Sequence, residues 1–282
     1  MAGQPILLAE VNMTAKPQSE NAGAGVYDRV HNQFSPVAAA YTQSRVHSDP
    51  EALRKVIDLA RPQRGDRALD IATGPGHVAL ALAPHVSEMV AYDMTEEMLL
   101  ETQRNAASRG LGNLATRKGV AERLPFPDAT FDVVTVRHAP HHFADVQGAL
   151  REMARVAKSG ARVVVIDSTS PEDESLDRQW NEIEKLRDPS HVCSYQPSKW
   201  RAMIAGAGLQ ITSLEVNYCT EDGRPMSFGD WTRRIKTAPA AVEELRKRFR
   251  GASPALAEAL RIQVTEEEIG FCVPQIWIAA RR

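Results

Sequence analysis

Ala68-Leu-Asp-Ile-Ala-Thr-Gly-Pro-Gly-His-Val78 is an apolar run interrupted only by Asp70, broken by Gly74 and Gly76, and resumed as a second apolar run at Val78. That pattern predicts a buried strand, a tight turn and the start of a helix. Glycines permit backbone angles and a close approach that a side chain would block, while the first N–H groups of a helix lack partners within it. Such a turn therefore suits a nucleoside-bearing cofactor. A second strand at 88–92 ends in Asp93, 19 positions after Gly74, where a carboxylate at a strand tip accepts hydrogen bonds from ribose hydroxyls.

Two cofactor classes fit the glycine turn. Gly74-x-Gly76-x-x-Ala79 satisfies the dinucleotide fingerprint of a nicotinamide dehydrogenase. Asp70 argues against it, because an anion at the first strand tip sits badly beside a pyrophosphate but suits the ammonium end of an amino-acid-bearing cofactor. With Asp70, Gly74 and Gly76 in the form Asp-x-x-x-Gly-x-Gly, the chain resembles the class I S-adenosylmethionine-dependent methyltransferases. The likeness continues through Gly119-Val-Ala-Glu-Arg-Leu-Pro-Phe126, Phe131-Asp-Val-Val-Thr-Val136 and Arg137-His-Ala-Pro-His-His-Phe143, and is nearest to the ubiquinone/menaquinone-biosynthesis branch.

The resemblance implies S-adenosylmethionine as cofactor, with S-adenosylhomocysteine as its product, and a turn of Thr73, Gly74 and Gly76 beneath the methionyl and ribose parts. Asp70 then lies near the amino-acid end, Asp93 on the ribose and Met94 against the adenine. The family usually carries an acidic residue directly after the glycine of its next motif. Val120 stands there instead, which leaves the backbone of Ala121 and Glu122 as the adenine contact. Arg137 and His138 fall at the fourth strand tip, the floor between cofactor and acceptor. His141 and His142 come next as general-base candidates near neutral pH, against the plainer reading of each as a structural hydrogen-bonding or helix-start residue. His191, in the loop Asp188-Pro-Ser-His, is an independent candidate base with substrate gating as its alternative role, and Asp167 at the fifth strand tip lines the pocket or caps the segment after it. Adjacent histidines without a carboxylate at ligand spacing give no metal site.

Outward from this centre the chain alternates strand and helix. Strands are expected at 67–72, 88–92, 114–118, 131–136 and 162–166, as five β/α units, then at 209–218 and 271–279, with Pro274 enforcing a bulge or a late start in the last. The predicted fold is α/β, a Rossmann-like, doubly wound, mostly parallel seven-stranded sheet with helices on both faces. Residues 29–282 make a single domain, with helical cap insertions at about 171–195 and 225–265. Residues 1–28 read as a flexible polar tail. Phe34, Val37, Ala38 and Tyr41 then recur at helical spacing, and Gln33, Phe34, Tyr41, Ser44 and His47 are placed to cover the cofactor, with Tyr41 contacting it. The same spacing equally suits Phe34 and Tyr41 gluing the helix to the core. Ser48-Asp-Pro-Glu51 has the form of a capping box opening the next helix.

With 43% apolar and 25% charged residues the chain suits a globular domain, and its formal net charge of −2 gives no reason to expect nucleic acid or an anionic membrane. Arg233-Arg234-x-Lys236 and Arg246-Lys-Arg-Phe-Arg250 are local basic clusters of a kind that meets RNA or a phosphorylated substrate, and they read first as solvated helix faces. No apolar run approaches a membrane span, and the N-terminus has no basic leader. Cys193, Cys219 and Cys272 are widely spaced, indicating neither a zinc site nor a disulfide framework and fitting a reducing cytoplasm. The expected activity is methyl transfer to a small apolar or aromatic molecule at carbon, oxygen or nitrogen, by a monomer or homodimer. RNA or protein methylation, a nicotinamide oxidoreductase, and a non-methylating cofactor-binding protein that steers a cyclisation are the alternatives.

Overall fold

The computed structural model describes residues 20–42, 47–217, 219 and 225–282. Its strands are β1 (Arg67–Ile71), β2 (Glu88–Asp93), β3 (Leu114–Lys118), β4 (Phe131–Arg137), β5 (Ala157–Ser168), β6 (Gln210–Asn217), β7 (Met226–Ser227), β8 (Gln263–Val264), β9 (Ile269–Phe271) and β10 (Gln275–Arg281). Its helices are α1 (Glu20–Phe34), α2 (Ala38–Thr42), α3 (Pro50–Ala60), α4 (His77–Leu82), α5 (Glu96–Ser108), α6 (Val146–Val156), α7 (Glu174–Arg187), α8 (Pro197–Gly206), α9 (Phe228–Arg234), α10 (Pro239–Arg250) and α11 (Pro254–Ala259).

Seven strands form one sheet in the order β3-β2-β1-β4-β5-β10-β6. The first five are parallel, and β10 runs antiparallel to both β5 and β6. The doubly wound reading holds. Alternation along the central strands divides the core between the two faces. Leu69, Ile71, Val134, Val136, Val163, Val165, Ile276 and Ile278 pack on one side with α6 and α8. Ala68, Val133, Val164, Ile166 and Trp277 pack on the other with α3 and α4.

Several local expectations are corrected. The connection from β3 to β4 carries no helix, so the alternation is not five complete β/α units. Residues 20–28, read as polar tail, are the start of α1, and Tyr27 on it faces the main cleft. Asp49 rather than Ser48 caps α3: its carboxylate accepts from the N–H groups of Glu51 and Ala52, and Pro50 starts the helix. Pro274 delays β10 to Gln275, while its carbonyl accepts from the Thr169 N–H. The expectation of unpaired cysteines fails for Cys219 and Cys272, which form a disulfide, whereas Cys193 is free. Antiparallel pairing sets Asn217 opposite Gln275, so the chain leaving β6 and the chain entering β10 meet at one end of the sheet. Spacing along the sequence carries no trace of that pairing. Ser44 lies outside the described residues.

The two cap segments are joined by a core of their own. Trp180 and Ile183 of α7 pack with Phe228 and Trp231 of α9, Leu245 and Phe249 of α10, Leu256 of α11 and Phe271 of β9. A three-stranded sheet, β7-β9-β8, supports this cluster and has no counterpart among the strands expected from the sequence. Among the described residues no helix is long and apolar enough to cross a membrane.

Trp277 is fully buried under α3, with the Lys55 ammonium 4.6 Å from the centre of its ring. Trp277→Ala is expected to lower the unfolding free energy by about 3–5 kcal/mol through the cavity it leaves. Urea denaturation measures this, and a loss below about 1 kcal/mol would mean that this face of the sheet is not closed as described.

Candidate active site

Strand order reverses between β1 and β4, and the crevice this leaves at the carboxyl ends of the strands is where ligands bind in open α/β sheets. Both strands end in a strained residue. Ala72 has φ 52° and His138 has φ 54°, left-handed values for which a residue bearing a Cβ pays about 1–2 kcal/mol. Gly74 and Gly76 continue the turn at φ 56° and 90°. A Cβ on Gly76 would come within 2.7 Å of Thr102, whereas one on Gly74 would meet no atom within 4 Å. Gly76 is thus required by packing, and Gly74 borders open space.

Asp70 is buried at the end of β1 and accepts from the hydroxyls of Thr73 at 2.6 Å and Thr135 at 2.7 Å. Burial raises its pKa to about 6 against these hydrogen bonds. The Asp93 carboxylate accepts one N–H on each oxygen, from Gly74 and from Thr95, both at 2.8 Å. Burial raises its pKa too. One carboxylate therefore clamps the glycine turn to the start of α5, and each oxygen retains acceptor capacity for a ligand.

These groups line a cleft of about 1000 Å³ together with Thr73, Met94, Ala121, Glu122, Arg137, His138 and Tyr41. Ten of the eleven expected cofactor residues therefore line one space, and the eleventh, Gly76, packs against Thr102 instead of lining it. Met98 and Tyr27 join them without having been foreseen. The Glu122 side chain accepts from the N–H groups of Ala144 and Asp145. Arg137 donates to the His47 carbonyl at 2.9 Å and so ties β4 to the N-terminal cover. Phe34 and Tyr41 line the cleft and meet edge to face. Gln33 reaches across to the Ile235 carbonyl at 2.7 Å, joining α1 to the cap.

A second chamber of about 680 Å³ adjoins the cleft, sharing Phe34, Tyr41, His47, His138 and His142 as walls. His141 lines only this chamber, and its Nδ1 lies 2.5 Å from Asp167 Oδ1. Burial alone would lower the His141 pKa, but the Asp167 charge and hydrogen bond override it and hold the imidazole above its ordinary value. His142 is brought to the same place with the opposite character. It sits against Ser190, and burial, with the neighbouring His141 charge, lowers its pKa to about 3. His191 lines neither space: its Nε2 is held by Asn181 at 3.0 Å, and burial lowers its pKa to about 2. Burial likewise holds His138 well below the usual histidine range.

The chamber also contains Arg187, Glu184, Trp231, Arg234 and Gln275, none of which was singled out as a site residue. The basic cluster containing Arg234 is expected from the sequence to be chiefly a solvated face. Arg233 is indeed exposed, but Arg234 lies three residues after buried Trp231 and shares its inward side of the helix. That spacing was the available signal.

Residues 18–187 match the ubiE/COQ5 methyltransferase family. The chain is 35% identical over 247 residues to the uncharacterized methyltransferase YcgJ of Bacillus subtilis, covering 87% of this chain and 96% of that protein. The crystal structure of YcgJ superposes with a TM-score of 0.76 over 82% of this chain and 98% of the other, at 34% identity. A demethylmenaquinone methyltransferase of Geobacillus kaustophilus is 36% identical over 151 residues, covering 51% of this chain and 64% of that protein.

The raised pKa of Asp70 has a measurable consequence. Because the native state takes up this proton near pH 6 and an ordinary aspartate does so near 3.8, ionised Asp70 opposes folding above about pH 6, and the penalty disappears toward pH 4. The stability advantage of Asp70→Asn over the wild type is expected to grow by about 3 kcal/mol between about pH 4 and pH 7. Urea unfolding of both proteins without ligand measures it, and a pH-independent difference would remove the shift.

Proposed function

Because the chain belongs to the ubiE/COQ5 methyltransferase family, we propose that it transfers the methyl group of S-adenosylmethionine to a small molecule held in the second chamber. The observation that carries this reading is the adjacency of the two spaces: the cleft over Asp70, Gly74 and Asp93 shares wall residues with a chamber holding a histidine–carboxylate pair.

The residues fit this cofactor. Open space beside Gly74 admits its backbone atoms, the remaining lone pairs of Asp93 suit ribose hydroxyls, and an ammonium near buried Asp70 relieves the cost of that carboxylate's charge. Val120, Ala121 and Met94 offer apolar and backbone contacts for an adenine ring. When bound, the cofactor supplies an activated methyl group on a sulfonium, so the protein's contribution is chiefly alignment and exclusion of water. Phe34 and Tyr41 close the space from the N-terminal side, with His142 beneath Phe34 at a ring-centre distance of 5.0 Å.

Where the acceptor must lose a proton, His141 is the residue equipped to take it. Asp167 holds its Nδ1 and leaves Nε2 as the remaining basic nitrogen, and the carboxylate stabilises the imidazolium that results. His142 and His191, the other two candidates, are kept neutral by burial and hold the loop after α7 through Ser190 and Asn181. In this reading they are positioning residues.

Calorimetric titration of the purified protein with S-adenosylmethionine, S-adenosylhomocysteine and NADH tests the cofactor. Heat from the first two and none from NADH is expected, and the reverse would overturn the reading. Asp93→Ala should weaken S-adenosylhomocysteine binding by about 1–3 kcal/mol. With an acceptor found by screening under saturating cofactor, His141→Ala should lower turnover roughly 10²- to 10⁴-fold while leaving that affinity unchanged. Full turnover in His141→Ala would exclude it as the base.

A further inference from the structure

We propose that the methyl acceptor carries an oxyanion, a carboxylate or a phosphate, and that Arg234 receives it in the second chamber. The inference deepens the methyl-transfer reading and rests on it.

The chamber holds two arginines, and only one is consumed by the fold. Arg187 donates to Glu184 at 3.1 Å and to the Trp231 carbonyl at 3.2 Å, and its guanidinium lies 4.6 Å from the centre of the Trp231 ring. Arg234 has nothing comparable. Its Nη2 points at the Met226 sulfur at 3.0 Å, a weak acceptor, and no carboxylate lies within ion-pair distance among the described residues.

The neighbouring carboxylates are already engaged. Glu184 is paired with Arg187, Asp188 accepts from the Ser190 N–H at 2.8 Å and its hydroxyl at 2.5 Å, and Asp230 pairs with exposed Arg233 at 2.5 Å. Arg234 remains a cation at neutral pH, although burial and the nearby Arg187 charge lower its pKa to about 10.

A largely buried guanidinium without an anion is costly, because desolvation is not repaid by a partner. An oxyanion of the ligand supplies the missing partner, and the planar fork of an arginine matches carboxylate or phosphate geometry. A second buried group points the same way. Gln275 lines this chamber, and its Oε1 is buried without a hydrogen-bond partner. That atom is left for an O–H or N–H on the same molecule. Trp231, Ile235 and Val273 provide apolar walls for its body.

The experiment uses the full chain saturated with S-adenosylhomocysteine and titrated calorimetrically with benzoate, phenyl phosphate and benzamide at one fixed ionic strength. At least one of the two anions is expected to bind about tenfold or more tightly than the neutral amide. A preference for benzoate over phenyl phosphate assigns a carboxylate, and the reverse a phosphate. Arg234→Gln should abolish the preference for the anions, and Arg234→Lys should keep part of it. Arg233→Gln, on the exposed side of α9, should keep all of it. Equal affinity for the three probes, no binding of any of them, or a preference that survives Arg234→Gln overturns the proposal. The S-adenosylhomocysteine titration that precedes each run separates the two readings: if it fails in the wild type, methyl transfer falls, and if it succeeds without an anion preference, only the oxyanion falls.

Discussion

The carboxylate of Asp70 is the constraint on which the rest of the crevice depends. It is an anion at the end of a strand buried on both faces, and two threonine hydroxyls, one from the turn and one from β4, together with the Ala79 N–H and the Arg137 charge, make its position tolerable. Satisfying it draws Thr73 inward, and the turn around it passes through left-handed values at Ala72, Gly74 and Gly76. Asp93 completes the arrangement by taking the Gly74 N–H, so two acidic strand tips share the work of holding one loop. Strain and charge are concentrated where adjacent strands diverge, which is the place where the fold has space to offer a ligand.

The cap depends on a different kind of force. Its aromatic cluster of Trp180, Phe228, Trp231, Phe249 and Phe271 joins two segments that lie on either side of β6 in sequence. Polar links then fasten it to the other elements around the chamber. Gln33 reaches the Ile235 carbonyl, and Thr237 donates to the Arg187 carbonyl. The second chamber is therefore bounded by three independent pieces of chain, namely the N-terminal helices, the sheet tips and the cap.

This difference governs how much was legible in the sequence. Asp70, Gly74, Gly76 and Asp93 announce themselves because the strand–turn–helix pattern that carries them is local, although the partners that fix them, Thr135, Thr102 and Gly74, come from farther along the chain. The alternation of apolar residues along β1, β4 and β5 likewise separates the two faces of the sheet. Arg187, Glu184 and Gln275 leave no such trace, and Arg234 leaves only its three-residue spacing from Trp231, since the four meet only after α7, α9 and β10 have been brought together. The Cys219–Cys272 bond is of the same type, because antiparallel pairing of β6 with β10 closes a gap of 53 residues. The basic run around Arg234 misled for a specific reason: a charge count treats Arg233 and Arg234 alike, although a helix turns consecutive side chains by about 100° and sends one to solvent and the other inward.

The three histidines carry the same lesson into the chemistry. By residue type His141, His142 and His191 are equivalent, and their rings cluster, with centres 4.1 Å apart for His141 and His142 and 5.6 Å for His141 and His191. Three imidazoles so close and so buried cannot all be charged, since each cation raises the cost of the next. The proton goes to the ring with the best anionic partner, and Asp167 at 2.5 Å makes that ring His141. His142 has Asp188 only at 4.0 Å, and His191 has the neutral amide of Asn181. One carboxylate, contributed by β5 and buried completely, thus sorts three identical side chains into one group able to hold a proton and two neutral supports. The choice among them lies in the distance to Asp167, which depends on β4 and β5 being adjacent, and no spacing within the histidine motif encodes it.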